Sequence, residues 1–148
     1  MKLAVLDDYQ DVAPSLADWT GSLPGVDGCY HERGLTPFLE PDGDRAAYVL
    51  YRGANPVGLA CVSGVSSQPR LMAEFFVVHG LRRHGAERAA AEELFRRHPG
   101  TWEIPFQEAN AAAARFWRGI AGADGQEERR PVPGKPEIPP DVWLTVTR

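Results

Sequence analysis

The spacing of apolar and polar residues predicts the strands of one sheet. Short runs that alternate, or that are continuously apolar and rich in β-branched and aromatic residues, indicate strands. Gly53–Pro56 has the composition of a hairpin turn between two of these runs. The predicted strands are Lys2–Leu6, Ala46–Arg52, Val57–Val65, Leu71–Val78, Thr101–Gln107 and Val142–Thr147, with Glu127–Val132 as a seventh candidate.

Longer segments with a helical period lie between these strands. Tyr9–Trp19 is predicted as a helix capped by Asp7 or Asp8, and Tyr30–Asp44 as a loop with a short helix. Two further helices show apolar stripes, at i, i+4 and i+8 in the first and at i, i+3, i+4 and i+7 in the second, and Pro99-Gly100 ends the first of them. The stripes consist of Ala86, Ala90 and Leu94, and of Ala113, Phe116, Trp117 and Ile120 after the cap Asn110. This order predicts an α+β fold with a mixed central sheet of about six to seven strands flanked by helices.

Composition narrows the class of protein. The chain has 148 residues, 43% hydrophobic and 24% charged, which predicts a single globular domain over residues 1–148. A net charge of -4 argues against a large nucleic-acid interface. Cys29 and Cys61 have no metal-type spacing and are expected to be free thiols. No run approaches the ~20 apolar residues of a membrane span. We therefore expect a cytoplasmic protein without a metal.

The stretch Leu71–Arg97 carries the strongest chemical signal. It reads as an apolar strand, a short basic loop and the first turn of a helix, where backbone N–H groups and the helix dipole attract anions. Basic side chains in this loop favour phosphate, whereas the carboxylate of Glu87 opposes it. The basic residues are Arg82, Arg83, His84 and Arg88.

Four ordered motifs resemble those of the GNAT superfamily of acyl-CoA N-acyltransferases. They are A-E-F-F-V at Ala73–Val77, R-R-x-G at Arg82–Gly85, W-E at Trp102-Glu103, and N-x-x-A-x-x-F-W at Asn110–Trp117. The first twenty residues also resemble the start of D-2-hydroxyacid dehydrogenases. No G-x-G-x-x-G motif follows, so we draw no activity from that second resemblance.

The GNAT resemblance implies a V-shaped splay between the central strands, which admits an acyl-CoA co-substrate such as acetyl-CoA. A strand N–H from Phe76, Val77 or Val78 would polarise the thioester carbonyl. The loop would wrap the diphosphate with the backbone of Arg82, Arg83, His84, Gly85, Ala86 and Arg88, with Glu87 at a position that is usually Gly or Ala. Asn110, Phe116 and Trp117 would border the cofactor arm. Trp117 stands where many relatives have a tyrosine that protonates the thiolate.

Acyl transfer to an amine also needs a proton acceptor. Glu74 is the first candidate, since burial in its strand would raise its pKa; the alternative is a carboxylate that faces solvent or a partner strand. His79 would act through a water, or is an ordinary loop histidine. Glu103, Glu108 and His31 would contact the amine substrate, or are simply solvated.

Three functions remain open at this stage. The first is acyl transfer from acyl-CoA to an amine of a small molecule, by direct attack in a ternary complex. The second uses aminoacyl-tRNA as the donor, because Glu87 would be tolerated in a loop without a diphosphate. The third is a degenerate, non-catalytic acyl-CoA-binding module. We expect a monomer or a homodimer, with Val142–Thr147 as an edge strand that could pair across a dimer.

Overall fold

The computed structural model describes residues 2–5, 36–39, 43–78 and 85–148. These residues form a seven-stranded mixed sheet in the order β1-β2-β3-β4-β5-β7-β6. The observed strand bounds lie within about two residues of those predicted. The strands are β1 Lys2–Val5, β2 Arg45–Arg52, β3 Asn55–Ser63, β4 Arg70–Val77, β5 Thr101–Phe106, β6 Gln126–Arg130 and β7 Asp141–Thr147.

Helices connect the strands at the predicted places. They are α1 Thr36–Leu39, α2 Ala86–Arg97 and α3 Ala111–Ala121, followed by a 3-10 turn at Gly122–Asp124. The predicted helix Tyr9–Trp19 lies outside the described residues. None of the described helices has both the length and the apolar character that a membrane span requires.

The central strand β4 stays paired with β3 but separates from β5. It pairs with β5 in parallel at only two positions, Arg70 with Trp102 and Leu71 with Glu103. Its antiparallel pairing with β3 continues to Val77, opposite Gly58. Because β4 runs on with β3 while β5 diverges, a V-shaped opening forms between β4 and β5. The predicted α+β GNAT-like sheet with a central splay is therefore present.

A β-bulge marks the place where the two strands part. Cys61 of β3 pairs with Glu74 and the next residue, Val62, pairs with Met72, so Ala73 is an extra residue in β4. Bulges increase local twist and redirect a strand. Beyond the bulge, β3 and β4 approach closely at Gly58, where an added Cβ would lie 2.2 Å from the Phe76 carbonyl oxygen. The bulge and the glycine together keep β4 on the β3 side of the opening.

Both faces of the sheet bury apolar residues. The larger core lies under α2 and α3, which bury small and large side chains against the sheet. The opposite face has a smaller cluster that packs with Phe38 of α1. The helical core residues are Ala90, Ala91, Leu94, Phe95, Ala114, Trp117, Ile120 and Ala121, and the smaller cluster consists of Ala47, Val49, Leu59 and Cys61.

The expectation that Val142–Thr147 forms an edge strand is wrong. This segment is β7, which pairs with β5 on one side and with β6 on the other. After α3 the chain first places β6 at the outside, and the Pro-rich segment 131–140 returns it between β6 and β5. At this end of the sheet the edge is thus the short strand β6, whose sequence Q-E-E-R-R is polar throughout, as is common for edges that resist pairing.

His98, at the C-terminal end of α2, links this helix to the sheet through two hydrogen bonds. Its Nε2 lies 2.6 Å from the Tyr48 hydroxyl, and its carbonyl accepts the Trp102 indole N–H at 3.0 Å. Burial lowers the pKa of His98 from 6.5, and the nearby positive charges of Arg70 and Arg97 lower that pKa further. The neutral imidazole is therefore the form that the fold stabilises.

We predict an acid-sensitive stability that depends on His98. As the pH falls below about 6.5, the unfolded chain binds a proton that folded His98 resists, so the free energy of unfolding decreases. His98→Gln should show a smaller loss of stability than the wild type between about pH 7.5 and 5.5 in urea titrations. Tyr48→Phe, which removes the hydrogen bond and keeps the imidazole, should cost about 1 kcal/mol and retain the wild-type pH dependence. An unchanged pH dependence in His98→Gln would contradict this account.

Candidate functional site

A cleft of about 140 Å³ lies beside the opening, between the end of β4 and the face of α3. We call it the β4–α3 cleft. It brings together six of the residues that were predicted to contact the cofactor, from three separate segments of the chain. They are Phe76, Val77, Glu87, Asn110, Phe116 and Trp117; the other lining residues are Phe75, Ala112 and Ala113.

One wall of the cleft is aromatic. Phe75 stacks on Phe116 with 5.8 Å between ring centroids and meets Trp117 edge-on at 5.1 Å, while Phe116 and Trp117 are 4.7 Å apart. Such a wall suits an alkyl chain rather than a charged group. Phe75 was not among the site residues predicted from the sequence, although strand alternation with Val77 places it on the same face.

The backbone of β4 presents alternate N–H groups to the opening. The Val78 N–H donates to the Val57 carbonyl at 2.9 Å, so it is used within the sheet and does not face the opening. Since successive residues of a strand point their N–H groups to opposite edges, Phe76 also faces β3 and Val77 faces the β5 side. Of the three predicted donors of the strand, Val77 is the one on the side of the opening.

The first turn of α2 borders the same cleft. Gly85 precedes the helix with φ of 80°, a conformation that favours glycine, and its carbonyl accepts the Ala89 N–H at 3.0 Å. The N–H groups of Ala86 and its neighbours in this turn point out of the helix end. Four predicted site residues of the preceding loop lie outside the described residues, namely His79, Arg82, Arg83 and His84.

Glu87 and Arg88 point to different places. Glu87 lines the β4–α3 cleft. Arg88, predicted to favour phosphate, instead donates to the Gly119 carbonyl at 3.1 Å and lies 3.4 Å from Glu92. The Arg88 side chain lines a separate cavity, so the structure does not bring it together with the other predicted cofactor residues.

Glu74 lies where β4 parts from β5, but the expectation that it is buried is wrong. The residue is exposed, because the bulge turns it away from the helical core. Its register partner is Cys61, whose pKa burial raises to about 12, with a smaller contribution from the negative charge of Glu74. Glu74 therefore lies on the opposite face of the sheet from the aromatic wall.

The predicted substrate residues Glu103 and Glu108 are held in ion pairs. Arg130 donates to Glu103 at 2.9 Å and lies 4.5 Å above the Trp143 ring. Arg118 donates to both oxygens of Glu108, at 2.8 and 3.0 Å, and this pairing lowers the pKa of that carboxyl. The predicted substrate residue His31 lies outside the described residues. Among the residues the structure describes, no group of three or more His, Cys, Asp and Glu side chains could hold a metal ion.

No protein-family model matches this sequence, and no curated protein matches it significantly. Solved structures do match. A variant of spermidine N-acetyltransferase from Vibrio cholerae superposes with a TM-score of 0.70 at 10% identity, covering 99% of this chain and 95% of that one. The chain has the GNAT fold.

Two other structures with this GNAT fold are similar to the chain. The ribosomal-protein-S18-alanine N-acetyltransferase from Escherichia coli has a TM-score of 0.61 at 17% identity, with 80% of this chain and 77% of that one covered. A GNAT family acetyltransferase from Elizabethkingia anophelis with acetyl-CoA bound has a TM-score of 0.59 at 8% identity, covering 71% and 77%. At these identities the GNAT fold is shared, and the chemistry depends on the residues of each site.

Asn110 gives a direct test of how the cleft wall is held. Its Oδ1 accepts the Ala113 N–H at 3.2 Å at the start of α3. We predict that Asn110→Ala lowers the free energy of unfolding by about 1 kcal/mol, measured by urea denaturation, because the cap is lost. Asn110→Ser should keep most of the stability. An alanine variant as stable as the wild type would show that the cap does not hold this wall.

Proposed function

We propose that the protein is an acyltransferase that moves an acyl group from acyl-CoA to an amine of a small molecule. Residues 1–148 would act as one domain, in the cytoplasm. The observation that carries the proposal is the opening between β4 and β5, which adjoins the aromatic β4–α3 cleft within a GNAT fold. One donor and one acceptor can reach this opening from opposite faces of the sheet, which suits a ternary complex.

The donor would enter from the helical side. Its pantetheine arm would lie against Phe75, Phe116 and Trp117, and its phosphates would lie near the first turn of α2, where the helix dipole favours anions. The Val77 N–H would donate to the thioester oxygen as negative charge develops on it. A backbone donor of this kind stabilises the tetrahedral intermediate without moving.

The acceptor would enter from the other face, where Glu74 lies. Glu74 would accept the proton of the ammonium group, and the free amine nitrogen would then form a bond to the thioester carbon. Glu74, which is exposed, passes this proton to solvent. The carbon–sulfur bond breaks next and its electrons leave on the thiolate of CoA, while the second proton that the nitrogen loses as the amide forms goes to solvent through Glu74. The Trp117 indole donates a hydrogen bond but supplies no proton at neutral pH, and a thiol pKa of about 8.5 allows the thiolate to leave unassisted.

Binding of acetyl-CoA is the first test. We predict a dissociation constant in the range of about 1 μM to 1 mM by isothermal titration, and release of free thiol when an amine panel is added. Absence of heat at millimolar acetyl-CoA would overturn the proposal. Binding without thiol release for any amine would instead support a non-catalytic module.

Glu74 gives the second test. Glu74→Gln should lower kcat about 100-fold and leave the affinity for acetyl-CoA unchanged, because the proton acceptor is lost while the donor cleft is intact. Glu128→Gln, an exposed glutamate of β6, should have wild-type rates. If Glu74→Gln retains full activity and the wild-type pH–rate profile, another group accepts the proton.

An aminoacyl-tRNA donor is the second candidate, and the position of Glu87 in the cleft favours it. In that case transfer would require charged tRNA and would be lost after treatment with RNase. Transfer that uses acyl-CoA alone, in RNase-treated protein, would eliminate it.

A further inference from the structure

Glu87 gives the β4–α3 cleft a charge-based selectivity among donors. Assuming the proposed function, we infer that the Glu87 carboxylate disfavours the diphosphate of CoA and leaves the pantetheine arm unaffected. The site therefore prefers CoA to a phosphate-free pantetheine donor by a smaller factor than the same fold would with an uncharged residue in place of Glu87. Glu87 is a specificity-determining residue and takes no part in the bond changes.

The composition of the cleft is the first observation. In the described part of the chain nine residues line it, and Glu87 is the one that carries a charge. The remaining lining residues are aromatic or aliphatic, apart from Asn110, whose side-chain oxygen is used in capping α3. A carboxylate in a cleft with such walls interacts with a nearby anion through less solvent than one on an open surface.

The position of Glu87 along the helix is the second observation. It belongs to the first turn of α2, which follows Gly85 and whose N–H groups would meet the phosphates. The helix end attracts a diphosphate, and the carboxylate at the same end repels it. These two contributions oppose each other for any donor with phosphates at this place.

The direction of Arg88 is the third observation. It is the basic residue next to Glu87, and its guanidinium is drawn to the end of α3 by the Gly119 carbonyl and by Glu92. Arg88 therefore serves the contact between α2 and α3 instead of adding positive charge to the cleft.

The effects of Glu87 on the two parts of the donor are separable. The aromatic wall contacts the uncharged arm, and the first turn of α2 borders the phosphates. Neutralising Glu87 should thus change the affinity for CoA and not that for pantetheine, which lacks phosphate.

The experiment compares CoA and pantetheine as ligands of the full chain by isothermal titration. Glu87→Gln, which keeps the shape and removes the charge, should bind CoA about tenfold more tightly than the wild type and bind pantetheine equally. The gain should shrink as salt rises from about 50 mM to 1 M, because screening weakens the repulsion. Glu128→Gln is the control, since this exposed glutamate of β6 pairs with Arg130 and does not line the cleft, and it should leave both affinities unchanged.

Each result has one meaning. If the wild type binds CoA and Glu87→Gln binds it equally or more weakly, the inference is overturned and the proposed function stands. If Glu87→Gln tightens both ligands equally, the effect is not on the diphosphate and the inference is likewise overturned. If neither protein binds CoA, the proposed function and the inference fail together. Tighter binding of CoA alone, lost at high salt and absent from Glu128→Gln, supports the inference.

Discussion

The site depends on the fact that β4 cannot pair with both of its neighbours along its whole length. The bulge at Ala73 changes the direction of the strand, and the close approach at Gly58 holds its C-terminal half against β3. After Leu71, β4 therefore no longer pairs with β5. A sheet normally saturates the edges of its central strands, so an opening here needs a local cause. The cleft, the orientation of Val77 and the exposure of Glu74 all follow from this one departure.

Charges in the described part of the chain are arranged differently on the two sides of α3. Behind the helix, Arg118 joins Glu108 and Glu127, and this network ties the start of α3 to β6. Such exposed pairs contribute little stability individually but restrict where the side chains lie. Arginines also hold the candidate substrate carboxylates Glu103 and Glu108. Glu74 lies on the face of the sheet opposite the aromatic wall, near the place where β4 parts from β5. The β4–α3 cleft, on the other side, is apolar except at Glu87 and Asn110.

Hydrophobic period and cap chemistry were sufficient to predict the described strands and helices of the sequence. That Asn110, Phe116 and Trp117 share a site with β4 came from the resemblance to GNAT proteins and not from the spacing. The bulge could not be predicted, since Met72 and Val77 lie on one face although they are five residues apart, which regular alternation forbids. The exposure of Glu74 follows from that shift of phase. The position of β7 between β5 and β6 depends on the path that the chain takes after β6. The direction of the Arg88 side chain depends on the Gly119 carbonyl of α3. Local residue spacing encodes neither of these.

The contact between Arg88 and the Gly119 carbonyl has a consequence for motion. It joins the first turn of α2 to the last turns of α3, where Arg148 also donates to the carbonyls of Ile120 and Ala121. These contacts hold together the two helices that border the cleft. Strand β4, in contrast, belongs to the antiparallel meander of β2, β3 and β4. Widening of the cleft would then be a relative displacement of two units, the helical pair with β5 against the β2–β4 meander. The boundary between them is the stretch where β4 and β5 do not pair, so the proposed ligand site coincides with the place where the sheet is easiest to separate.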